Sequence, residues 1–270
     1  MVEQSGFQLQ GSAAQSYEEQ QVPSLLRPLA ELTLRHVVVN EGDQVIDVAC
    51  GTGIMGRLVA EKLGNAGSVV GVDLNPGMIE VAREHSPETS VSVEWLQGDA
   101  NDLQFPDSSF DITFCQQGLQ FFPEKVAALK ELRRVTTPGG SIILTVWSAV
   151  SPVNAAISDA LARYVNDEAA QSALSPYAFR DAEVIKGLMI EAGIQGITME
   201  TLVVERLIMG QGEESIPKMM AGTPYGVDFG KADEATQRAV VKDVVEALQG
   251  FQGDNGIVVP EETHLIRATR

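Results

Sequence analysis

Basic residues are scarce in this chain of 270 residues: 19 Lys and Arg stand against 37 Asp and Glu, a formal net charge of -18. Such a field repels polyphosphates and anionic bilayers, which excludes nucleic acid and acidic membranes as expected partners. Cysteine is limited to Cys50 and Cys115, which form no CxxC pair and lie near no histidine at zinc spacing. That excludes a disulfide framework, and no structural metal is expected. No apolar run approaches the roughly 18 residues of a membrane helix, and the opening MVEQSGFQLQ has neither a basic nor an apolar leader segment. The expectation is a cytoplasmic protein.

What is present is enough apolar material for a real core. Hydrophobic residues make up 44% and charged residues 21% of the chain, which fits one elaborated globular domain or two small ones. Leu25, Leu26, Leu29, Leu32 and Leu34 recur at helical spacing, so residues 13–38 read as helices broken at Pro23. The expected division is an N-terminal helical arm or lid over 1–41 and a main domain over 42–270. From Gly42 the texture becomes short β-rich runs followed by amphipathic stretches, the pattern of βαβ units on a parallel sheet. Strands are expected at 44–49, 68–72, 91–96, 110–115 and, after a turn at Pro138-Gly139-Gly140, at 141–147. Asn75 followed by Pro76 marks a helix start. Helices are expected at 152–164, 181–192 and 233–248. A long strand at 197–208 and a final strand at 263–269 read as a hairpin-like pair, and insertions at about 148–180 and 209–260 as a partial cap.

The segment from Val45 to Gly56 is the most informative. Gly51, Gly53 and Gly56 satisfy GxGxxG between a strand and a helix, where small residues let a ligand reach the backbone and the helix N-terminus. Asp73 follows at the end of the second strand, where a carboxylate holds the hydroxyls of a ribose. Strand, turn and acid together indicate an adenosine cofactor, and two fit: a nicotinamide dinucleotide or S-adenosylmethionine. Asp47, inside the first strand, suits a ligand carrying an ammonium and a sulfonium, whereas it would repel a pyrophosphate. Gly98-Asp99-Ala100 adds an acid able to accept from an adenine amino group.

With these elements the chain resembles the class I S-adenosylmethionine-dependent methyltransferases, in particular the small-molecule group that includes the ubiquinone and menaquinone biosynthesis methyltransferases. The matching stretches are DVACGTG at 47–53, VDLNPGMIEVAR at 72–83, QGDA at 97–100, FPDSSFD at 105–111 and LRRVTTPGG at 132–140. The resemblance implies a doubly wound, mostly parallel α/β sheet of seven strands, order 3-2-1-4-5-7-6, with the last strand antiparallel. It also implies donor contacts: Asp47 with the amino group, Ala49, Gly51 and Gly53 along the methionine part, and Asp73 at the ribose. Leu74 and Met78 would flank the adenine, Asp99 and Ala100 would bind its edge, Gln116 would meet the methionine part, and Tyr17 would close from the lid.

The acceptor side is thinner. Gln120, Phe121 and Trp147 are the pocket candidates, because they fall after the fourth strand or at the end of the fifth. His36, His85 and His264 occupy neither place and are read as structural, so no catalytic base is assigned. The expected activity is transfer of a methyl group to a small, partly apolar metabolite by in-line displacement. A donor-binding regulator without catalysis and a nicotinamide-dependent oxidoreductase are the alternatives.

Overall fold

The computed structural model describes residues 12–270. The chain enters through α1 (Ser12–Gln21), a single π-helical turn (Val22–Leu26) and α2 (Arg27–Arg35). Pro23 therefore does not break the helix, as its missing N–H suggested. The turn widens instead, the Arg27 amide donating to the carbonyl of Val22, while the Ser24 hydroxyl donates to the carbonyl of Gln20. A side-chain donor thus serves a carbonyl near the proline.

Three strands alternating with two helices follow: β1 (Gln44–Val48), α3 (Ile54–Lys62), β2 (Ser68–Asp73), α4 (Pro76–Glu84) and β3 (Ser92–Gln97). Asn75 caps α4 as its sequence suggests, its side chain accepting from the Gly77 amide at 2.9 Å. Then come β4 (Phe110–Gln116), α5 (Lys125–Val135) and β5 (Thr136–Trp147). The Pro138-Gly139-Gly140 segment is not a turn ahead of β5 but a bulge within it. Phe110 pairs with Thr136 and Ile112 with Ser141, so the extra residues are absorbed where Gly139 takes a positive φ of 81°.

The C-terminal part comprises α6 (Pro152–Tyr164), α7 (Asp167–Leu174), α8 (Ala182–Glu191), β6 (Gln195–Met209), α9 (Gly212–Ala221), α10 (Pro224–Lys231), α11 (Glu234–Ala247), the two-residue β7 (Gln252–Gly253) and β8 (Gly256–Thr269). The sheet runs β3-β2-β1-β4-β5-β8-β6, with β7 paired to β8. The first five strands are parallel and β8 is antiparallel to both neighbours. This is the strand order the resemblance implied, with β7 as a small addition. β8 begins at Gly256, well before the Thr263 start read from the sequence, because β6 continues to pair with it as far as Met209.

One core layer joins Leu25, Leu29 and Leu34 of the N-terminal helices to Val45, Phe114, Val59 and Leu265. A second fills the other sheet face with Ile46, Leu129, Leu132, Ile142 and Met189. A third joins α6 to α9, α10 and α11 through Ile157, Leu161, Met220, Phe229 and Val240. Among the described residues, no helix is long and apolar enough to cross a membrane.

Candidate active site

The site is built where β1 ends. Ala49, Gly51 and Gly53 all have positive φ, 59°, 56° and 88°, which turns the chain sharply into α3. No side chain caps α3, so its first amides face the turn with their partial positive charge unclaimed by a capping group. A Cβ at Gly51 would have only Tyr17 within 4 Å, at 3.9 Å, so this glycine borders open space. Gly53 and Gly56 serve a different purpose. A Cβ at either would come within 3 Å of the Trp95 indole, and one at Gly71 would stand 2.3 Å from it. Two of the three motif glycines therefore make room for a tryptophan, and Gly53, expected along the donor, lines none of the cavities described below.

Asp73 is held at the end of β2 by two backbone amides, Gly51 at 2.8 Å and Asn75 at 2.9 Å. Burial raises its pKa, and the Asn75 and Gly51 amides oppose the rise. Around it opens a cavity of about 870 Å³, its open mouth included. Nine expected donor residues line it: Tyr17, Ala49, Gly51, Asp73, Leu74, Met78, Asp99, Ala100 and Gln116. Asp99 is exposed and accepts from the amide and side chain of Asn101 at 2.8 and 2.9 Å.

Behind this cavity is a smaller niche of about 330 Å³, shared by Tyr17, Asp47, Ala49, Gly51, Thr52 and Gln116 among others. Asp47 is 1% exposed. Neither of its oxygens has a hydrogen-bond partner in normal geometry, and the same holds for Thr52 Oγ1 and Gln116 Oε1. Burial first and the charge of Asp73 second push the Asp47 carboxyl up to about 8, which the Gly56 amide offsets only in part. Four orphaned polar atoms around one niche call for a ligand, since buried polar groups are ordinarily paired.

Beyond Tyr17 lies a third cavity of about 600 Å³ with its mouth. Gln120, Phe121 and Trp147, the three acceptor candidates, all line it. Gln120 donates to Gln117 at 3.1 Å and Gln117 to Thr263 at 2.9 Å, leaving Gln120 Oε1 buried without a partner. The lining also includes residues the sequence did not single out as site residues: Asn154, Thr223 and above all Arg206. Arg206 alternates with Val204 and Ile208 on the inward face of β6. A lone arginine at that period-2 position was the signal available in the sequence.

The remaining candidates are set apart. Both cysteine thiols are buried and raised, Cys115 to about 12, mainly by desolvation, so neither is a thiolate nucleophile. No histidine lines the three cavities. His85 bonds the carbonyl of Val81, and His264 that of Arg180, each at 3.0 Å.

Comparison with known proteins agrees with this geometry. Residues 45–140 match a methyltransferase domain family. The demethylmenaquinone methyltransferase of Staphylococcus epidermidis is 29% identical over 194 residues, 67% of this chain and 80% of that protein. The enzyme of the same name from Listeria welshimeri is 38% identical over 111 residues, 41% of this chain and 47% of that protein. Among solved structures, phosphoethanolamine N-methyltransferase 2 of Haemonchus contortus, crystallised with S-adenosyl-L-methionine, shares the fold at a TM-score of 0.59 and 18% identity, over 96% of this chain and 57% of that one. A SAM-dependent methyltransferase from Aquifex aeolicus does so at 0.53 and 22% identity, over 71% and 92%. The chain carries a methyltransferase domain over residues 45–140 and resembles the class I S-adenosylmethionine-dependent methyltransferases, the quinone-biosynthesis enzymes among them.

Proposed function

We propose that the niche and the 870 Å³ cavity together hold the methyl donor, and that the cavity beyond Tyr17 holds a small, partly apolar acceptor. The observation that carries this is the set of orphaned buried atoms on Asp47, Thr52 and Gln116. Their chemistry fits an amino-acid moiety: a carboxylate and an amide oxygen for an ammonium, a hydroxyl for a carboxylate. Asp73 would hold the ribose, with Leu74, Met78, Asp99 and Ala100 around the adenine. A dinucleotide gives Asp47 no partner and would bring a pyrophosphate toward it.

When bound, the donor supplies a methyl group on a sulfonium, electrophilic without further activation. The protein's part is placement. Tyr17 borders all three cavities, and Gln117 and Phe121 border both the donor and the acceptor cavities. These residues would align an acceptor for in-line displacement and exclude water from the junction. The acidic surface and the lack of a membrane-crossing helix among the described residues support a cytoplasmic enzyme acting on metabolites rather than nucleic acid.

Calorimetry with S-adenosylmethionine and S-adenosylhomocysteine tests the donor half. Asp73→Ala is expected to weaken both by about 1.5 to 3 kcal/mol, the usual loss for a charged hydrogen-bond partner, and unchanged affinity would overturn the assignment. Methyl-labelled donor incubated with a metabolite extract is expected to label a small, extractable product.

A further inference from the structure

We infer that Arg206 is the anchor for an anionic oxygen group at the end of the acceptor remote from the methyl donor. This rests on the acceptor cavity proposed above and names what that cavity selects. Arg206 lines the acceptor cavity but neither donor space, and it carries the one formal cation on that wall. It is 5% exposed. A guanidinium has five N–H donors in a fixed fork, and here few are used. Its Nε stands 2.9 Å from Oε1 of Glu261 but off the line a hydrogen bond requires. Its Nη1 meets Met219 Sδ at 3.6 Å, a weak acceptor.

Glu261 fixes the position of this charge. In the β6–β8 ladder Arg206 pairs with Val259, which puts Glu261 on the diagonal and on the same inward face. Glu261 is wholly buried and also receives the Ser151 hydroxyl at 2.7 Å and the Tyr177 hydroxyl at 3.4 Å. Burial, the largest single influence, favours loss of the arginine proton, but Glu261 and the three neighbouring tyrosines together outweigh it and the pKa is raised. The guanidinium is therefore charged and pinned from behind. Tyr17, Tyr177 and Tyr225 surround it, each with its phenol pKa raised chiefly by burial, so each is a hydroxyl donor rather than a competing anion. Leu25, Phe121 and Trp147 supply the apolar walls. A flat apolar body ending in a carboxylate or similar oxyanion matches this lining, since arginine binds such groups through paired, charge-assisted hydrogen bonds.

The test is calorimetric titration of the protein saturated with S-adenosylhomocysteine, using 2-naphthoate, 2-naphthol and naphthalene as probes. The naphthoate is expected to bind at least about tenfold more tightly than the hydrocarbon, as for a hydrogen bond to a charged group. In Arg206→Lys part of that preference should survive; in Arg206→Met/Glu261→Gln, which removes both buried charges together, it should vanish while the affinity for S-adenosylhomocysteine holds. Equal binding of naphthoate and naphthalene, tighter binding of the neutral naphthol, or a naphthoate preference surviving in the double variant would each overturn the inference. Loss of S-adenosylhomocysteine binding in the unaltered protein would instead overturn the donor reading beneath it.

Discussion

The proposed donor site and the proposed acceptor cavity of this molecule are built by different means. Most of the residues proposed for the donor lie at four parallel strand ends between Asp47 and Gln116, and two of the carboxylates there are held by nearby amides: Asp73 by Gly51 and Asn75, Asp99 by Asn101. The acceptor wall has no such locality. Gln21 donates to the carbonyl of Met219, Tyr177 to Asn154 and Glu261, and Gln117 to Thr263 across 146 positions. A local site can be inherited as a motif while a non-local one changes with the cap, which is how one donor apparatus serves many acceptors.

The strongest way to break this division is to remove Glu262–Arg270. β8 lies between β5 and β6 and pairs with β5 from Thr263 to Thr269. Its loss would expose the edge of β5 and half of β6 and remove the Thr263 hydroxyl that holds Gln117. The expected result is a protein without a cooperative melt. A soluble truncation that still binds S-adenosylmethionine would show that the donor half folds without the cap.

Gly71→Ala probes the donor half from within, because the new Cβ would press on Trp95 at 2.3 Å. Overpacking of this kind costs about 1 to 3 kcal/mol, read from denaturant melts. Trp95→Leu in the same chain should restore part of the loss, and additive effects in the double-mutant cycle would refute the packing account.

Asp47 sharpens the comparison through pH. Its carboxyl, pushed up to about 8 in the fold, ionises near 3.9 when unfolded. The native state therefore holds a proton the unfolded chain lacks between those values. The resulting stability is full below about pH 4 and is lost as pH rises through about 8, at up to roughly 1.4 kcal/mol per unit. Asp47→Asn should flatten this slope in the donor-free protein. Donor binding near neutral pH should release a proton in the unaltered protein and none in the variant, seen by calorimetry in buffers of different ionisation enthalpy. The smallest effect is expected from His264→Gln. Since His264 faces the Arg180 carbonyl outside the cavities, methyl transfer should stay within about tenfold, whereas loss of a general base lowers rate about 10² to 10⁴.

Local signals were read well wherever the chain itself enforces them. Asn75 and Pro76 start α4, α6 spans Pro152–Tyr164 as its period indicates, and Asp233 caps α11. Proline and glycine misled where neighbours absorb them: Pro23 sits in a π turn, and Pro138-Gly139-Gly140 forms a bulge inside β5. GxGxxG pointed to the right turn but not to the right reason for Gly53 and Gly56, because Trp95 arrives from a strand two places along the sheet.

The amino-acid sequence by itself determined the alternation of strands and helices, the turn after β1 and the carboxylates at the strand ends, because dihedral preference, periodicity and short-range spacing are properties of the chain. Tertiary structure alone decided that unsatisfied oxygens of Asp47, Thr52 and Gln116 would share a niche, and that Arg206 would be buried against Glu261 beside the proposed acceptor cavity. Burial and charge pairing depend on which strands meet and in what register: the period-2 pattern of β6 could mark Arg206 as inward, but only its register with β8 sets Glu261 beside it.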